Sequence, residues 1–171
     1  NQITMTNLAS PDYYCVMGNP VAHSRSPWIH ARFAALTGQV LRYDRRLIAL
    51  DGFAQGLRDF LAEGGRGCNI TVPFKLAAAD VARHFSPRAQ LAQAANTLTV
   101  RDDGIYADNT DGAGLVADIE RNAGVRLAGR DVLLVGAGGA AAGVLGPLLA
   151  AWPARLTVVN RTHARAVELA Q

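Results

Sequence analysis

The chain has 171 residues, of which half are hydrophobic, and its formal net charge is only +3. This composition can build a packed core, whereas the small charge surplus and the scattered arginines give no support to a nucleic-acid partner. The sequence shows no secretory signal pattern, and glycine and proline interrupt its longest apolar stretch, residues 140–152, so we expect a cytoplasmic protein without a membrane partner.

The first part of the chain alternates short apolar runs with amphipathic segments. Ser26-Pro27 is a helix-start signal, because serine can cap free amides and proline fits the first turn, and Gly38 predicts the end of that helix. Within it, Ile29, Phe33 and Leu36 share one face. The other elements predicted for this part are strands at residues 13–17, 40–48 and 67–72 and a helix at residues 53–61.

Two of these strand-like runs each contain a cysteine, Cys15 in the first and Cys68 in the third. Neither cysteine has the CxxC or histidine spacing of a metal site. We therefore expect buried free thiols in a reducing compartment, and no bound metal.

The second part continues the alternation of strands and helices. Two apolar runs separated by Asp102-Asp103-Gly104 predict a β-hairpin. The runs of this hairpin are residues 97–101 and 105–109, and the remaining elements are helices at residues 86–95 and 110–122 and strands at residues 130–135 and 156–159. Strands that alternate with helices predict an α/β fold with a mixed, mainly parallel sheet flanked by helices.

Lys75 ends the stretch Asn69-Ile70-Thr71-Val72-Pro73-Phe74-Lys75 and is the only lysine in the sequence. Arginine stays protonated at any working pH, whereas a lysine in a partly desolvated cleft can give and take a proton. The composition therefore favours a chemical role for Lys75. The alternative is a solvated side chain on the first turn of a helix.

A glycine-rich turn, Gly136-Ala137-Gly138-Gly139-Ala140-Ala141, follows a predicted strand and opens a helix, as in a dinucleotide-binding fold. Tight helix–strand packing is the alternative explanation of these glycines. The next strand ends in Asn160-Arg161-Thr162, with Arg165 one turn later. An acidic residue there would repel a 2′-phosphate, whereas arginine and threonine would bind it, so the sequence favours NADP over NAD.

Two further polar clusters lie at predicted helix starts, Ser24-Arg25-Ser26-Pro27 and Asp108-Asn109-Thr110-Asp111-Gly112. The serine hydroxyls and the helix N-terminus could hold a carboxylate, although capping alone would explain Ser26. Ordinary capping by Thr110 and Asp111 is likewise the alternative for the second cluster. His23 is not assigned a catalytic role, because a histidine in a polar loop is more often a structural hydrogen-bonding residue.

Together these stretches resemble the shikimate dehydrogenase family, and they occur in family order across almost the whole chain. Two more stretches match, Gly18-Asn19-Pro20 and Ala95-Asn96-Thr97-Leu98. The resemblance implies an enzyme that interconverts 3-dehydroshikimate and shikimate with NADPH in aromatic amino-acid biosynthesis. It also implies a substrate-binding and catalytic domain at residues 1–110, and a linker helix with the first part of a Rossmann NADP-binding domain at residues 111–171.

The resemblance further implies roles for individual residues. Lys75 and Asp111 would be the catalytic pair, and Ser24 and Ser26 would hold the substrate carboxylate. The ring hydroxyls would be bound by Asn69, Thr71, Asn96 and Asp111, and Lys75 would also bind the substrate. The cofactor would be bound by Gly136, Ala137, Gly138, Gly139, Ala140, Asn160, Arg161, Thr162 and Arg165. The expected partner is the small-molecule substrate, and the expected assembly is a monomer or a homodimer.

The chain departs from the family pattern in two places. Ala141 and Ala142 stand where many relatives carry a polar or basic residue, so we expect one cofactor contact fewer. The sequence also ends at Gln171, after two strands of a nucleotide-binding sheet, so we expect either a portion of a longer enzyme or a true fragment. Two alternatives therefore stay open: a non-catalytic shikimate-binding fragment, and a quinate/shikimate dehydrogenase that uses NAD.

Overall fold

The computed structural model describes residues 10–171. The first part of this range comprises β1 (Asp12–Gly18), α1 (Ser26–Thr37), β2 (Leu41–Leu47), α2 (Phe53–Ala62), β3 (Gly65–Ile70), α3 (Lys75–Asp80), β4 (His84–Phe85), α4 (Pro87–Ala92), β5 (Thr97–Arg101) and β6 (Gly104–Asp108). The second part comprises α5 (Asp111–Ala117), which continues as a π-helical turn (Asp118–Asn122), β7 (Asp131–Val135), α6 (Gly139–Ala150), β8 (Arg155–Val159) and α7 (His163–Ala170).

Strands β1 to β6 form one mixed sheet in the order β2-β1-β3-β5-β6-β4. β1 runs parallel to β2 and β3, whereas β5 pairs antiparallel with β3 and, in the predicted hairpin, with β6. β7 and β8 form a separate parallel pair, in which Val135 lies beside Val159. The predicted α/β fold, with a mixed sheet followed by the first part of a Rossmann-like unit, is confirmed. The division between residues 110 and 111 stays a prediction.

The hydrophobic core lies between one face of the six-stranded sheet and α2. Cys15 and Met17 of β1 point into it, as the two-residue period of a strand requires. Phe53 and Phe60 of α2 pack there, and the ring of Phe53 stacks on Phe74 at 5.3 Å between centroids. The opposite face of the sheet is left for α1 and for polar side chains.

Helix α1 differs from its sequence prediction in two details. Its bounds and its left-handed end at Gly38 (φ 67°) are as predicted, but Arg25 occupies the N-cap position and Ser26 is already helical. The capping role predicted for Ser26 is therefore wrong. The shared face of Ile29, Phe33 and Leu36 is exposed, and Ala34 is the buried residue of this helix.

Three elements have no counterpart among the predicted elements: α3, β4 and α7. Helix α3 is only six residues long and begins at Lys75 itself, so its pattern is too short to show a helical period. Strand β4 has two residues and pairs in parallel with β6. Helix α3 and strand β4 are therefore too short for a local pattern to identify them.

The two parts of the chain meet where α5 crosses α6 without bulky side chains. A methyl group on Gly112 would lie 2.5 Å from Pro147 Cγ and 2.6 Å from the Gly143 carbonyl oxygen. A methyl group on Gly143 would in turn lie 2.7 Å from Asn109 Nδ2. Glycine at these positions allows the backbones to approach closely, so that α6 packs directly on the start of α5.

Within the range that the structure describes, none of the helices has both the length and the apolar character needed to cross a membrane.

The glycine contact predicts opposite effects for two substitutions in the same helix. Gly112→Ala should lower the free energy of unfolding by about 1–3 kcal/mol, because its methyl group overlaps α6. Gly114→Ala is the matched control: a methyl group there would have no heavy atom of the described residues within 4 Å. It should raise the free energy of unfolding by up to about 1 kcal/mol. Urea denaturation followed by circular dichroism measures both, and equal effects would contradict the close contact.

Candidate functional site

A cleft of about 340 Å³ opens on the face of the sheet opposite the core. It is lined by residues at the carboxyl ends of β1 and β3 and in the loops after them, by the start of α1, and by Asn96 and the start of α5. All seven residues predicted to bind substrate or to act on it line this single cleft: Ser24, Ser26, Asn69, Thr71, Lys75, Asn96 and Asp111. Sequence-distant stretches therefore converge as the predicted site requires.

The side chains of Lys75 and Asp111 form an ion pair inside this cleft. Lys75 Nζ lies 2.5 Å from Asp111 Oδ2, and the two side chains are 14% and 23% exposed. Lys75 is the first residue of α3 and Asp111 the first of α5, so each side chain is placed by a helix start. A charged pair shielded in this way can supply both a proton and a positive charge to a reacting oxygen.

Asp111 is held in place by two asparagines. Asn96 Nδ2 donates to Asp111 Oδ1 at 2.9 Å, and the Thr110 backbone amide donates to Asn96 Oδ1 at 3.0 Å. Asn109, which is only 1% exposed, accepts the Asp111 backbone N–H at 3.1 Å through Oδ1 and donates to the Ala94 carbonyl at 2.9 Å. The carboxylate of Asp111 therefore has a fixed direction before any ligand binds.

Two hydroxyls lie together at the start of α1. Ser24 Oγ is 3.1 Å from Ser26 Oγ and accepts the Ser26 backbone N–H at 3.3 Å. Arg45 Nε donates to the Ser24 carbonyl oxygen at 2.8 Å, which ties this loop to β2. Paired hydroxyls beside the N-terminus of a 12-residue helix form a surface that can accept a carboxylate.

Sequence reasoning assigned no role to several polar residues at this site. Tyr43 of β2 donates to Asn69 Oδ1 at 2.7 Å, and its ring stacks on His30 of α1 with centroids 4.1 Å apart. Thr97 lies between Asn69 and Asn96, within hydrogen-bonding distance of both. Thr97 belongs to a motif that the sequence analysis noted, whereas no local pattern distinguishes Tyr43, since its role depends on its position in the sheet.

The glycine-rich turn lies at the carboxyl end of β7, beside the end of β8. Gly136 has φ 118°, a conformation that favours glycine, and its N–H donates to the Val159 carbonyl at 2.7 Å. A methyl group on Gly138, at the N-cap of α6, would have no heavy atom of residues 10–171 within 4 Å. The turn therefore presents open backbone at a helix N-terminus, which suits a pyrophosphate.

The other predicted cofactor residues surround this turn. Ala137, Gly138 and Arg165 line a crevice of about 450 Å³, and Gly139 and Ala140 begin α6. Arg161 and Thr162 are exposed after β8, and Asn160 Nδ2 donates to the Thr162 carbonyl at 2.9 Å. Ala141 is buried.

The crevice and the cleft are neighbours. A methyl group on Gly139 would lie 3.1 Å from Lys75 Cβ. The turn at the start of α6 therefore lies directly against the residue that carries the candidate proton donor.

Asp108 stabilises the loop that leads to Asp111. Its carboxylate accepts hydrogen bonds from Arg88 Nε at 2.7 Å, from Ser86 Oγ at 2.6 Å and from the Asn109 backbone N–H at 2.7 Å. The bond from Arg88, followed in importance by those from Ser86 and Asn109, holds the pKa of Asp108 well below its ordinary value despite partial burial.

Two family models match the chain. The model described as the shikimate dehydrogenase substrate binding domain matches residues 16–98, and the model described as shikimate / quinate 5-dehydrogenase matches residues 118–171. Among curated proteins, shikimate dehydrogenase (NADP(+)) from Acidovorax sp. (strain JS42) is 73% identical over 161 residues, which are 94% of this chain. The chain spans 57% of the length of that relative.

Solved structures agree with this result. Shikimate dehydrogenase from Aquifex aeolicus superposes with a TM-score of 0.88 at 28% identity, covering 95% of this chain and 60% of that one. Shikimate 5-dehydrogenase from Thermus thermophilus, in complex with NADP(H) and shikimate, superposes with a TM-score of 0.82 at 34% identity, covering 93% of this chain and 59% of that one.

Because the pKa of Asp108 is lowered in the folded state, we predict that its contribution to the free energy of unfolding falls at acid pH. Because the folded state lowers this pKa, the stabilisation is complete above the unfolded value of about 3.9 and is lost as pH falls through the folded value. The difference in free energy of unfolding between wild type and Asp108→Asn should therefore shrink on acidification below about pH 4. Urea titrations at several pH values measure this difference. Arg88→Met should weaken the same pH dependence, and a difference independent of pH would contradict the assignment.

Proposed function

Because the chain belongs to the shikimate dehydrogenase family, we propose that the full-length protein catalyses the reversible, NADPH-dependent reduction of 3-dehydroshikimate to shikimate in aromatic amino-acid biosynthesis. The observation that carries this proposal is the shielded Lys75–Asp111 ion pair, which lies in the polar cleft and directly beside the turn at Gly139. An oxidoreductase needs a proton donor at the boundary between its substrate and its cofactor, and Lys75 occupies such a position.

The substrate is a small hydroxylated acid, and the cleft offers groups of matching chemistry. The hydroxyls of Ser24 and Ser26 hold its carboxylate beside the N-terminus of α1. Asn69, Thr71 and Asn96 supply donors and acceptors for its ring hydroxyls from the other side of the cleft. A site that binds hydroxyls at several fixed points discriminates strongly against analogues that lack one, because its polar groups would then be buried without partners.

Lys75 acts as the general acid in the reducing direction. Its ammonium group donates a proton to the substrate oxygen as negative charge develops there, and the resulting hydroxyl stays bonded to the site. Asp111 keeps the ammonium group oriented, and Asn96 keeps Asp111 oriented. In the oxidising direction the neutral amine of Lys75 removes the same proton from the substrate hydroxyl.

The glycine turn and the residues after β8 fit NADP(H). The exposed backbone of Ala137 and Gly138 would hold the pyrophosphate, and Arg161 with Thr162 would hold the 2′-phosphate. When bound, NADPH supplies the hydride that adds to the carbonyl carbon. The crevice beside Arg165 gives the adenosine side of the cofactor a place outside the substrate cleft.

We further propose that the protein works in the cytoplasm, as a monomer or a homodimer. Cys15 and Cys68 are adjacent across β1 and β3, both are buried, and both are free among the residues that the structure describes. Their hydrogen bond and their burial raise the pKa of Cys15, so this thiol stays protonated and unreactive. Reduced buried thiols of this kind are typical of cytoplasmic proteins.

The catalytic assignment predicts that Lys75→Met lowers turnover by at least about 100-fold, because the proton donor is lost. Lys75→Arg should be similarly inactive, since the guanidinium group of arginine stays protonated and cannot donate its proton to the substrate. Shikimate should still bind to both variants of the full-length protein in calorimetry. Asp111→Asn should also lose turnover, whereas Asp118→Asn, an exposed carboxylate beyond α5, should not.

Two results would overturn these assignments separately. If Lys75→Met keeps its turnover of 3-dehydroshikimate, the proposed mechanism is wrong. Wild-type protein that binds shikimate without turnover would instead support a binding function, and wild-type protein that does neither would contradict the proposed substrate.

Arg161 tests the choice of cofactor. Arg161→Gln should lower kcat/KM for NADPH by about 10- to 100-fold, because one charge-assisted hydrogen bond to the 2′-phosphate is lost. The value for NADH should stay unchanged. Arg155→Gln, at the opposite end of β8, is the matched control and should affect neither cofactor. A wild-type preference for NADH would instead favour the NAD-using alternative.

A further inference from the structure

A continuous row of polar side chains crosses the sheet from β2 to the catalytic aspartate. Tyr43 OH lies 2.7 Å from Asn69 Oδ1, and Asn69 Nδ2 lies 3.2 Å from Thr97 Oγ1. Thr97 Oγ1 lies 3.0 Å from Asn96 Oδ1, and Asn96 Nδ2 lies 2.9 Å from Asp111 Oδ1. The row joins β2, β3, β5 and the start of α5, and Asn69 and Asn96 within it line the substrate cleft.

The direction of every hydrogen bond in this row follows from one backbone amide. The N–H of Thr110 can only donate, so the amide of Asn96 must present Oδ1 to it, at 3.0 Å. An amide oxygen can only accept, so the hydroxyl of Thr97 must donate to it. The hydroxyl oxygen of Thr97 is then the acceptor for Asn69 Nδ2. The other end of this amide, Asn69 Oδ1, therefore faces Tyr43, whose hydroxyl must donate.

We infer that Tyr43 is a positioning residue for substrate binding, which acts by fixing the side-chain amide of Asn69 from behind the cleft. This inference rests on the proposed function. Rotation of the Asn69 amide by 180° would exchange Oδ1 and Nδ2, and a ligand in the cleft would then meet the donor and the acceptor of this amide in exchanged positions. Thr97 opposes that rotation, because its hydroxyl donates its proton to Asn96 and its oxygen therefore needs the nitrogen of the Asn69 amide. The hydrogen bond from Tyr43 holds Oδ1 of the same amide in place on the other side.

The ring of Tyr43 is itself held in place. His30 of α1 stacks on it with an angle of 7° between the ring planes. Burial raises the pKa of Tyr43, so its hydroxyl keeps the proton that the row requires. Burial likewise lowers the pKa of His30, which stays neutral and avoids placing a charge beside the amide. Helix α1 thus contributes to the cleft in two ways. Its N-terminus carries the serine hydroxyls, and His30 holds the ring of Tyr43, which in turn bonds Asn69.

The row is held at both of its ends. We therefore predict that loss of the end at Asn69 weakens substrate binding without slowing the catalytic step. The Thr110 backbone holds the end near Asp111, whereas Tyr43 holds only the end at Asn69. Tyr43→Phe keeps the ring and its stack on His30 but removes the donor. We expect the dissociation constant and the KM for shikimate in the full-length protein to rise about tenfold, since one hydrogen bond is lost. The kcat should stay close to that of wild type, because the Lys75–Asp111 pair is still oriented.

Two controls separate positioning from a general structural effect. Tyr14→Phe removes a hydroxyl from the neighbouring strand at the same register, beside Tyr43, and should change neither constant. Thr97→Val, which breaks the row one residue further on, should raise the KM as Tyr43→Phe does, and Thr97→Ser should restore it. Calorimetric binding and steady-state kinetics of these variants provide the measurements.

The inference is overturned if wild-type protein binds shikimate and Tyr43→Phe binds it equally well. It is also overturned if Thr97→Ser behaves like Thr97→Val, because the hydroxyl would then not be the group that matters. If Tyr43→Phe does not fold, the two Thr97 variants decide the question. Wild-type protein that fails to bind shikimate would contradict the proposed function itself, which is a separate outcome.

Discussion

The arrangement of the site depends on the ion pair between Lys75 and Asp111. The two residues begin different helices and are 36 positions apart, yet Nζ and Oδ2 are 2.5 Å apart in a partly shielded cleft. A charge that is shielded from water loses solvation energy, and an opposite charge nearby compensates that loss. Each member of the pair therefore lowers the cost of shielding the other. The hydrogen bonds of the surrounding loops serve this pair, because a small displacement of either side chain would leave the other charge shielded from water without a partner.

Small residues connect this pair to the second part of the chain. Gly112 and Gly143 let α6 approach α5, and Asn109 lies in the same contact while it caps the Asp111 backbone. At its other end α6 begins at Gly139, against Lys75. The helices that begin at Lys75 and at Asp111 therefore both pack against α6, whose N-terminus carries the glycine-rich turn. The distance between Lys75 and the glycine-rich turn is therefore set by backbone packing and not by long side chains.

The sequence predicted the α/β class and most strands because these depend on short-range signals, whereas the residues that line the cleft were implied by the resemblance to a known family. Alternation, serine-proline starts and glycine stops act within a few residues. Ser86 illustrates this, since it precedes Pro87 and caps α4 by accepting the Ala89 backbone N–H. Ser26 did not cap α1, because the preceding loop places Arg25 at that position. Helix α3 was missed because its six residues are too few to show a helical period. The role of Tyr43 was missed because it depends on a contact between β2 and β3, which no local pattern identifies.

Arginine and lysine have different uses in this chain. Arginine forms the fixed pairs, such as Arg88 with both oxygens of Asp108 and Arg46 with Glu63. Its planar fork matches a carboxylate and keeps its charge at any working pH, which suits bonds that must not change. Lys75, the only lysine in the sequence, is the residue to which we assign the proton transfer of the proposed reaction. An arginine at that position could preserve the ion pair with Asp111 but could not give up a proton, so the proposed reaction, and not stability, would account for this lysine.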